Sequence, residues 1–260
     1  MNPVYKIVAV RTVQMSALGV LAHWALHWPF TGPHALGLFL TPALCVYFVF
    51  VFAGTWTWGL PVLTRLPDSR NAVALTFDDG PSAETTPRVL DALRSANARA
   101  TFFVLGEAVD RRPDLLRRIV AEGHAVGIHA YSHEPFVLKN RRAVSEEIQQ
   151  AEAAVRRACP NAKLIPWVRP PHGFKSLTLL WTLRRAGWGL AAWSLDSRDY
   201  RAHDPAQIAA RVFAANAGAI VLLHDGPNNA PTAAALKTVL HGLAERGLAT
   251  APLPNWVSSS

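Results

Sequence analysis

Apolar and polar positions divide the chain into two unlike parts. From Ala35 to Leu60 the run ALGLFLTPALCVYFVFVFAGTWTWGL holds no charged residue, and about 20 apolar residues suffice to cross a bilayer, so the run predicts a transmembrane helix. Trp56 and Trp58 near its end belong to the residue type that prefers the lipid–water interface. Thr12 to Phe30 is also uncharged but includes Gln14, His23 and His27, and reads as a second, weaker span, the pair turning at Thr31-Gly32-Pro33. A cleaved leader fits poorly, because the apolar run is internal and no small-residue cleavage site follows a short apolar core. Residues 1–66 are therefore expected to form a membrane anchor of one or two helices, followed by one domain over residues 67–260.

Beyond Pro67-Asp68-Ser69 the pattern changes to short apolar runs separated by helical periodicity. Strands are expected at Ala72–Phe77, Ala100–Leu105, Ala125–His129, Trp167–Arg169, Gly189–Leu195, Ala219–Leu223 and Leu248–Ala251. Helices are expected from Thr86 to Asn97, opened by Pro87, and around 113–122, 141–158, 176–187, 205–214 and 231–246. Seven strands alternating with helices predict an α/β fold with parallel strands, a sheet or a barrel rather than a sandwich. The ionisable residues gather just after these strands: Asp78-Asp79, His129 with His133, Arg169, Asp199 and His224. In α/β barrels the loops at the strand C-termini build the site.

Composition adds a charge asymmetry. Residues 1–60 contain no Asp or Glu and only Lys6 and Arg11, whereas the remainder carries 24 Lys+Arg against all 18 Asp+Glu, a net +6. That balance suits an anionic lipid surface or a phosphorylated substrate, and scattered solvated charge accounts for it equally. No Lys/Arg stripe with interleaved aromatics is present, so nucleic acid is not an expected partner. Cys45 and Cys159 differ in surroundings and form no Cys-x-x-Cys pair, so no disulfide framework is implied and a thiolate metal site is not expected. His23 and His27 share a helical spacing beside Trp24 and Trp28 and are read as interfacial anchors.

The strand-end residues carry recognisable chemistry. Asp78-Asp79-Gly80-Pro81 sets two carboxylates side by side, informative if one binds a cation and the other stays free as a base. His129-Ala130-Tyr131-Ser132-His133 supplies two imidazoles that can reach one ion. With one carboxylate they make a His₂Asp set that leaves coordination positions open, as catalytic zinc requires. Asp199 and His224 pair a carboxylate with an imidazole, which favours the protonated form a general acid needs.

Taken in order, Thr76-Phe77-Asp78-Asp79-Gly80-Pro81, His129-x-x-x-His133, Arg169-Pro170-Pro171-His172-Gly173, Asp196-x-x-Asp199-Tyr200 and Leu222-x-His224 resemble the five motifs of the NodB-like polysaccharide deacetylases, carbohydrate esterase family 4. The resemblance covers residues 72–250. It implies a distorted (β/α) barrel of about seven parallel strands, one divalent metal ion, usually Zn2+, and hydrolysis of the N-acetyl group of an amino sugar. By position, Asp79, His129 and His133 look like the metal ligands and Asp78 like the general base. Arg169 looks like the residue that holds Asp78, His224 like the acid that protonates the leaving amine, and Asp199 like its carboxylate partner. His172, Tyr200 and Leu222 would line the substrate groove. A backbone N–H around Asp79–Gly80 or Pro171–His172 would help hold the oxyanion, and because Pro171 has none, His172 is the better donor. Ala130 stands where the family commonly has Ser or Thr, His172 where Tyr is frequent, and Tyr200 where Trp is frequent. These departures touch substrate identity more than catalysis.

Two further readings stand beside this one: a sugar-binding module with a degenerate site, and, within the enzyme class, a deformylase or O-deacetylase using the same water attack. The degenerate site is disfavoured because every acid, base and ligand residue is in place. Lys6 and Arg11 before the apolar hairpin and Arg65 and Arg70 after it put both ends in the cytoplasm of an inner membrane of bacterial type if both segments span; a single span exports the domain to the periplasm. Pro61 to Arg70 reads as a short spacer between span and domain. The expected substrate is a membrane-borne, lipid-linked N-acetylhexosamine, with membrane lipid as a partner, and the alternative is periplasmic peptidoglycan or exopolysaccharide.

Overall fold

A computed structural model describes residues 60–67 and 71–256. The spans expected between Thr12 and Leu60 fall, except for Leu60, outside the described residues; among the described residues no helix is long and apolar enough to cross a membrane. The described chain forms nine strands, β1 Val62–Leu63, β2 Ala72–Asp78, β3 Thr101–Leu105, β4 Ala125–Ala130, β5 Leu164–Val168, β6 Gly189–Ala191, β7 Leu195–Asp196, β8 Ile220–His224 and β9 Ala249–Thr250. Between them run α1 Thr86–Ser95, α2 Gly106–Arg111, α3 Pro113–Ala121, α4 Arg141–Ala158, α5 Leu177–Ala186, α6 Pro205–Val212 and α7 Ala230–Glu245.

Every named strand pair is parallel, in the order β1-β6-β5-β4-β3-β2-β8-β7, with β9 beside β2. The run expected as one strand from Gly189 to Leu195 is two. Gly189–Ala191 pairs with β5, whereas Leu195–Asp196 pairs with β8 at the opposite end of the order. One short segment thus reaches toward both ends of the strand order, which curls the parallel sheet into a half-barrel. Strands with both faces covered read as continuous apolar runs, and six of the seven residues of β2 are buried accordingly.

Alternation divides β2 between two environments. Phe77 faces outward and stacks on Phe102 at 5.2 Å between centroids. Ala74 faces the barrel interior with Phe103, Ile165, Trp167, Ala191, Ile220 and Leu253. Leu253 belongs to the tail after β9, whose amides bond into the barrel: Ala251 N–H to the Val73 carbonyl and Leu253 N–H to Thr101 Oγ1 at 2.9 Å. Trp167 Nε1 donates to the Pro254 carbonyl at 2.8 Å, so its indole is both packed and satisfied.

Three further expectations change. β5 begins at Leu164 rather than Trp167, because Pro166, which cannot donate to a ladder, lies where the pairing with β4 is irregular. The spacer expected from Pro61 to Arg70 is in part barrel: Val62 and Leu63 pair with Leu190 and Ala191, and Leu66 N–H donates to the Gly218 carbonyl. Barrel pairing therefore starts upstream of residue 67, and Leu60, assigned to the apolar span, is 3% exposed beside it. The short helix α2 was not expected; the non-helical backbone of Arg112, φ −136° and ψ 61°, separates it from α3, which opens on Pro113. Elsewhere helix ends follow local chemistry, with the Asn140 and Ser176 side chains capping α4 and α5 and Gly187 closing α5 in the left-handed region.

Trp167 fills the barrel interior at 2% exposure. Replacing it with alanine is expected to cost about 3–5 kcal/mol of folding stability, measured as a lower urea midpoint at unchanged slope; a midpoint close to wild type would show that the interior closes over the void.

Candidate active site

The β2 strand ends in two carboxylates that part company. Asp79 has φ 72°, a conformation non-glycine residues rarely adopt, and this turn separates its side chain from that of Asp78. Asp78 lies within the barrel, its side chain 4% exposed, and accepts a 2.8 Å bond from Arg169 Nη1. Asp79, 25% exposed, instead faces two histidines: its Oδ1 is 3.3 Å from His129 Nε2 and 3.1 Å from His133 Nε2. Burial opposes ionisation of Asp79, but the two imidazoles outweigh it and hold the carboxyl far below the usual carboxylate range.

These three side chains offer ligand atoms all within 4.8 Å of one another. Asp79 Oδ1 is buried without a hydrogen bond, since neither imidazole contact has hydrogen-bond geometry. His129 spends its other nitrogen: Nδ1–H donates to the Arg169 carbonyl at 2.7 Å, which leaves Nε2 as the atom that meets Asp79 and is open to a cation. An unsatisfied carboxylate oxygen with one imidazole already fixed in its tautomer fits a divalent cation. The residues are able to hold one.

Arg169 is fully buried at the end of β5 and crosses the barrel interior. Its Nη1 donates to Asp78 and, at 2.7 Å, to Thr76 Oγ1, and its Nη2 to the Ala192 carbonyl at 3.1 Å. Its guanidinium carbon lies 4.2 Å from the centroid of Phe103. Burial lowers its pKa from the free value and Asp78 works against that shift.

On the other side, β2 and β8 are in register with Asp78 opposite His224. His224 Nδ1–H donates to Asp199 Oδ1 at 2.7 Å, while Asp199 Oδ2 accepts from the His224 amide and from Thr232 Oγ1, both at 2.7 Å. Burial pulls the His224 pKa down, but the bond to Asp199 more than reverses it and the imidazole is pushed up to about 9. A protonated imidazole can deliver a proton. Tyr200 lies edge-on to it at 5.7 Å, and Arg201 lies 5.4 Å over the Tyr200 ring.

All expected site residues except Arg169 and Asp199 line one cleft of about 540 Å3; those two stand behind its wall. His172, at φ 58°, packs 4.6 Å from the His133 ring, and Leu222 and Tyr200 complete the groove. Burial, then the neighbouring His133 and His129, lower the His172 pKa. A larger cavity of about 710 Å3 between α1 and α7 contains none of these residues. Trp193, Asn229 and Arg201 also line the cleft and were not singled out from sequence, because nothing in their local pattern marks them. Asp225 was missed too. Fully buried behind the Asp78–Pro81 turn, it accepts from Thr86 Oγ1 at 2.5 Å, and burial pushes its carboxyl up to about 7. A Cβ on Gly80 would lie 2.3 Å from its oxygens, so the glycine of that turn is a steric requirement.

Comparison with known proteins gives this geometry a family. Residues 65–191 match the family model for polysaccharide deacetylase. The chain is 38% identical over 195 residues to a chitooligosaccharide deacetylase from Sinorhizobium fredii, covering 70% of this chain and 90% of that one. Its fold is similar to a family 4 carbohydrate esterase from Streptomyces lividans, with TM-score 0.66 and 31% identity over 72% of this chain and 95% of that one. It is similar also to the Bc1960 peptidoglycan N-acetylglucosamine deacetylase, with TM-score 0.72 and 30% identity over 77% and 94% of the two chains. The chain belongs to the NodB-like polysaccharide deacetylases, carbohydrate esterase family 4, and is a carbohydrate deacetylase, a hydrolase of non-peptide carbon–nitrogen bonds.

Proposed function

We propose that the domain removes the N-acetyl group of an amino sugar with one divalent cation, and that its substrate is a membrane-borne, lipid-linked N-acetylhexosamine. The observation that carries the reaction class is the meeting in one cleft of an unsatisfied Asp79–His129–His133 cluster with Asp78 and His224 on adjacent strands. Asp79, His129 and His133 hold the cation, for which two imidazoles and one carboxylate favour Zn2+. When bound, the cation supplies Lewis acidity, polarising the acyl carbonyl and acidifying water.

The remaining steps belong to the chain. Asp78, oriented by Arg169, takes the proton of the water whose oxygen adds to the acyl carbon. The carbonyl oxygen gains negative charge and accepts from the His172 amide; the Gly173 and Phe174 amides are spent on the Pro170 and Pro171 carbonyls. His224, held by Asp199, gives its proton to the departing nitrogen as the carbon–nitrogen bond breaks, leaving acetate and a free amine. His172, Tyr200 and Leu222 line the sugar groove.

Two features favour a lipid-linked substrate. The first is the uncharged run from Ala35, and the second is Arg201 at the cleft mouth, which has no acidic partner among the described residues and suits a sugar phosphate. With two spans the domain is cytoplasmic, away from mature cell-wall polymer. The second reading is an N-acetylglucosamine oligomer or polymer, favoured by the similarity to a chitooligosaccharide and a peptidoglycan deacetylase.

The cation assignment predicts that the Asp79→Ala/His129→Ala/His133→Ala variant loses stoichiometric metal, whereas Asp78→Asn keeps metal and loses most turnover. Elemental analysis with single-turnover rates checks both, and metal retained by the triple variant contradicts the ligand set.

The acid assignment carries a sign. His224 must be protonated to act, and its pKa is raised to about 9, so kcat/KM is expected to hold through neutral pH and fall as pH rises past that value. Asp199→Asn removes the partner that raises it and should move this alkaline limb to lower pH; a pH–rate profile that keeps the limb in place refutes the pairing.

Substrate identity is decided by kcat/KM on a polyprenyl-phosphate-linked N-acetylhexosamine against chitin oligomers and peptidoglycan fragments. Preference for the lipid-linked sugar is expected, together with a higher KM on it in Arg201→Gln. Activity on the polymers alone would overturn the lipid-linked reading and leave the deacetylase.

A further inference from the structure

The three candidate ligands are not equally supported. Asp79 is fixed by the turn that ends β2, and His129 by its place on β4 and its bond to the Arg169 carbonyl. His133 lies beyond β4 in an irregular loop, its side chain 39% exposed and facing the Asp79 carboxylate and the rings of His129 and His172. Of the three residues between the histidines, Ala130 has no polar group.

What defines this loop is a side chain from α4. Glu147 Oε2 accepts both the Tyr131 N–H at 2.9 Å and the Ser132 N–H at 2.8 Å. Its Oε1 accepts the Ser132 hydroxyl at 2.7 Å and Lys139 Nζ at 2.7 Å. Four donors thus converge on one carboxylate that is 8% exposed, and two of them are consecutive backbone amides immediately before His133. The other side of the loop is tied to α2, where the Glu107 N–H donates to the Tyr131 carbonyl at 3.0 Å. Charge-assisted bonds of this kind are short and directional, and α4 is an 18-residue helix rather than a second loop.

We propose that Glu147 is a positioning residue for the cation site: by gripping the amides of Tyr131 and Ser132 it sets where the His133 imidazole stands relative to Asp79 and His129. Sequence reading passed over it because a glutamate on a helix, followed by Gln149 and Glu152, looks like an ordinary solvated face. The fold turns it inward against the loop. Partners outside the ligand set commonly govern metal affinity by 10–100-fold.

The inference rests on Asp79, His129 and His133 being the ligands, and the experiment separates the two claims. Zn2+ affinity of the full chain is measured by competition with a chromophoric chelator for wild type, Glu147→Gln, His133→Ala and the double variant, with thermal unfolding of each metal-free protein alongside. Glu147→Gln keeps the size of the side chain but loses the charge and sets an amide nitrogen against one of the donors. Its affinity is expected to fall about 10-fold or more. In the His133→Ala background it should change nothing further, because the ligand through which it acts is gone. Ser132→Ala, which removes one of the four donors, should lose affinity in the same direction by less, and serves if Glu147→Gln does not fold. Affinity within about twofold of wild type in folded Glu147→Gln, or an equal loss with and without His133, assigns Glu147 a purely structural part and overturns the proposal. If wild type binds no Zn2+, the ligand set itself has failed.

Discussion

The buried Arg169 is the constraint on which the two halves of the site depend. Its backbone carbonyl accepts a hydrogen bond from His129 Nδ1–H, while its guanidinium donates to the carboxylate of Asp78. One residue therefore fixes the tautomer of a candidate ligand and the direction of a candidate base. A fully buried guanidinium is costly, and here its Nε has no partner. The barrel tolerates this because Asp78, Thr76 and the Ala192 carbonyl lie within reach and Phe103 covers the cationic plane. Removing one member of such a pair commonly costs about 3–5 kcal/mol, more than its attraction contributes in place, since the survivor is left charged and dry. The arrangement is better understood as positioning than as stabilisation.

The curled sheet makes that reach possible. Ala192, which accepts from Arg169, lies in the short link between β6 and β7, the same link that joins the two ends of the strand order. The curl of the sheet and the completion of the guanidinium's partners thus share one segment. Thr76 and Asp78 share the inner face of β2 because they are two residues apart, which lets a single Nη1 serve both. Below them the apolar filling of Ala74, Phe103, Trp167 and the tail residue Leu253 keeps the interior dry.

Much of this was legible in the sequence, for reasons specific to each element. Apolar runs ending in Asp78, His129 and His224 marked strand ends, and the strand-end rule for α/β barrels put their polar residues in one place. Capping residues and prolines set helix starts close to where they fall. What escaped depends on contacts distant in sequence. Nothing local in Val62-Leu63 says that these two residues pair with β6, nor that the run from Gly189 to Leu195 changes neighbours halfway. Asp225 and Glu147 escaped similarly, since a carboxylate beside a histidine or on a polar helix has no sequence signature of burial. Pro166 lies within β5 where the register of its pairing with β4 is irregular, a tolerance set by the partner strand and not by the local sequence.

The site can hold opposed protonation states at neutral pH because it gives each titratable group a different kind of partner. Asp79 faces two imidazoles and stays a carboxylate, suited to a cation. His224 faces a carboxylate that is itself held by two further donors, so Asp199 cannot turn away and the imidazole keeps its proton. Asp225, buried behind them with a hydroxyl as its side-chain partner, has its pKa pushed toward neutrality instead. These are three outcomes from the same few residue types, set by what the fold places opposite each one. The carboxylates of the opening motif are adjacent in sequence, and the positive φ of Asp79 is what sends them to different partners: a guanidinium for one, two imidazoles for the other. Without that turn, strand alternation would point Asp79 to the outer face with Phe77, away from both imidazoles, and the ligand set would lose its carboxylate.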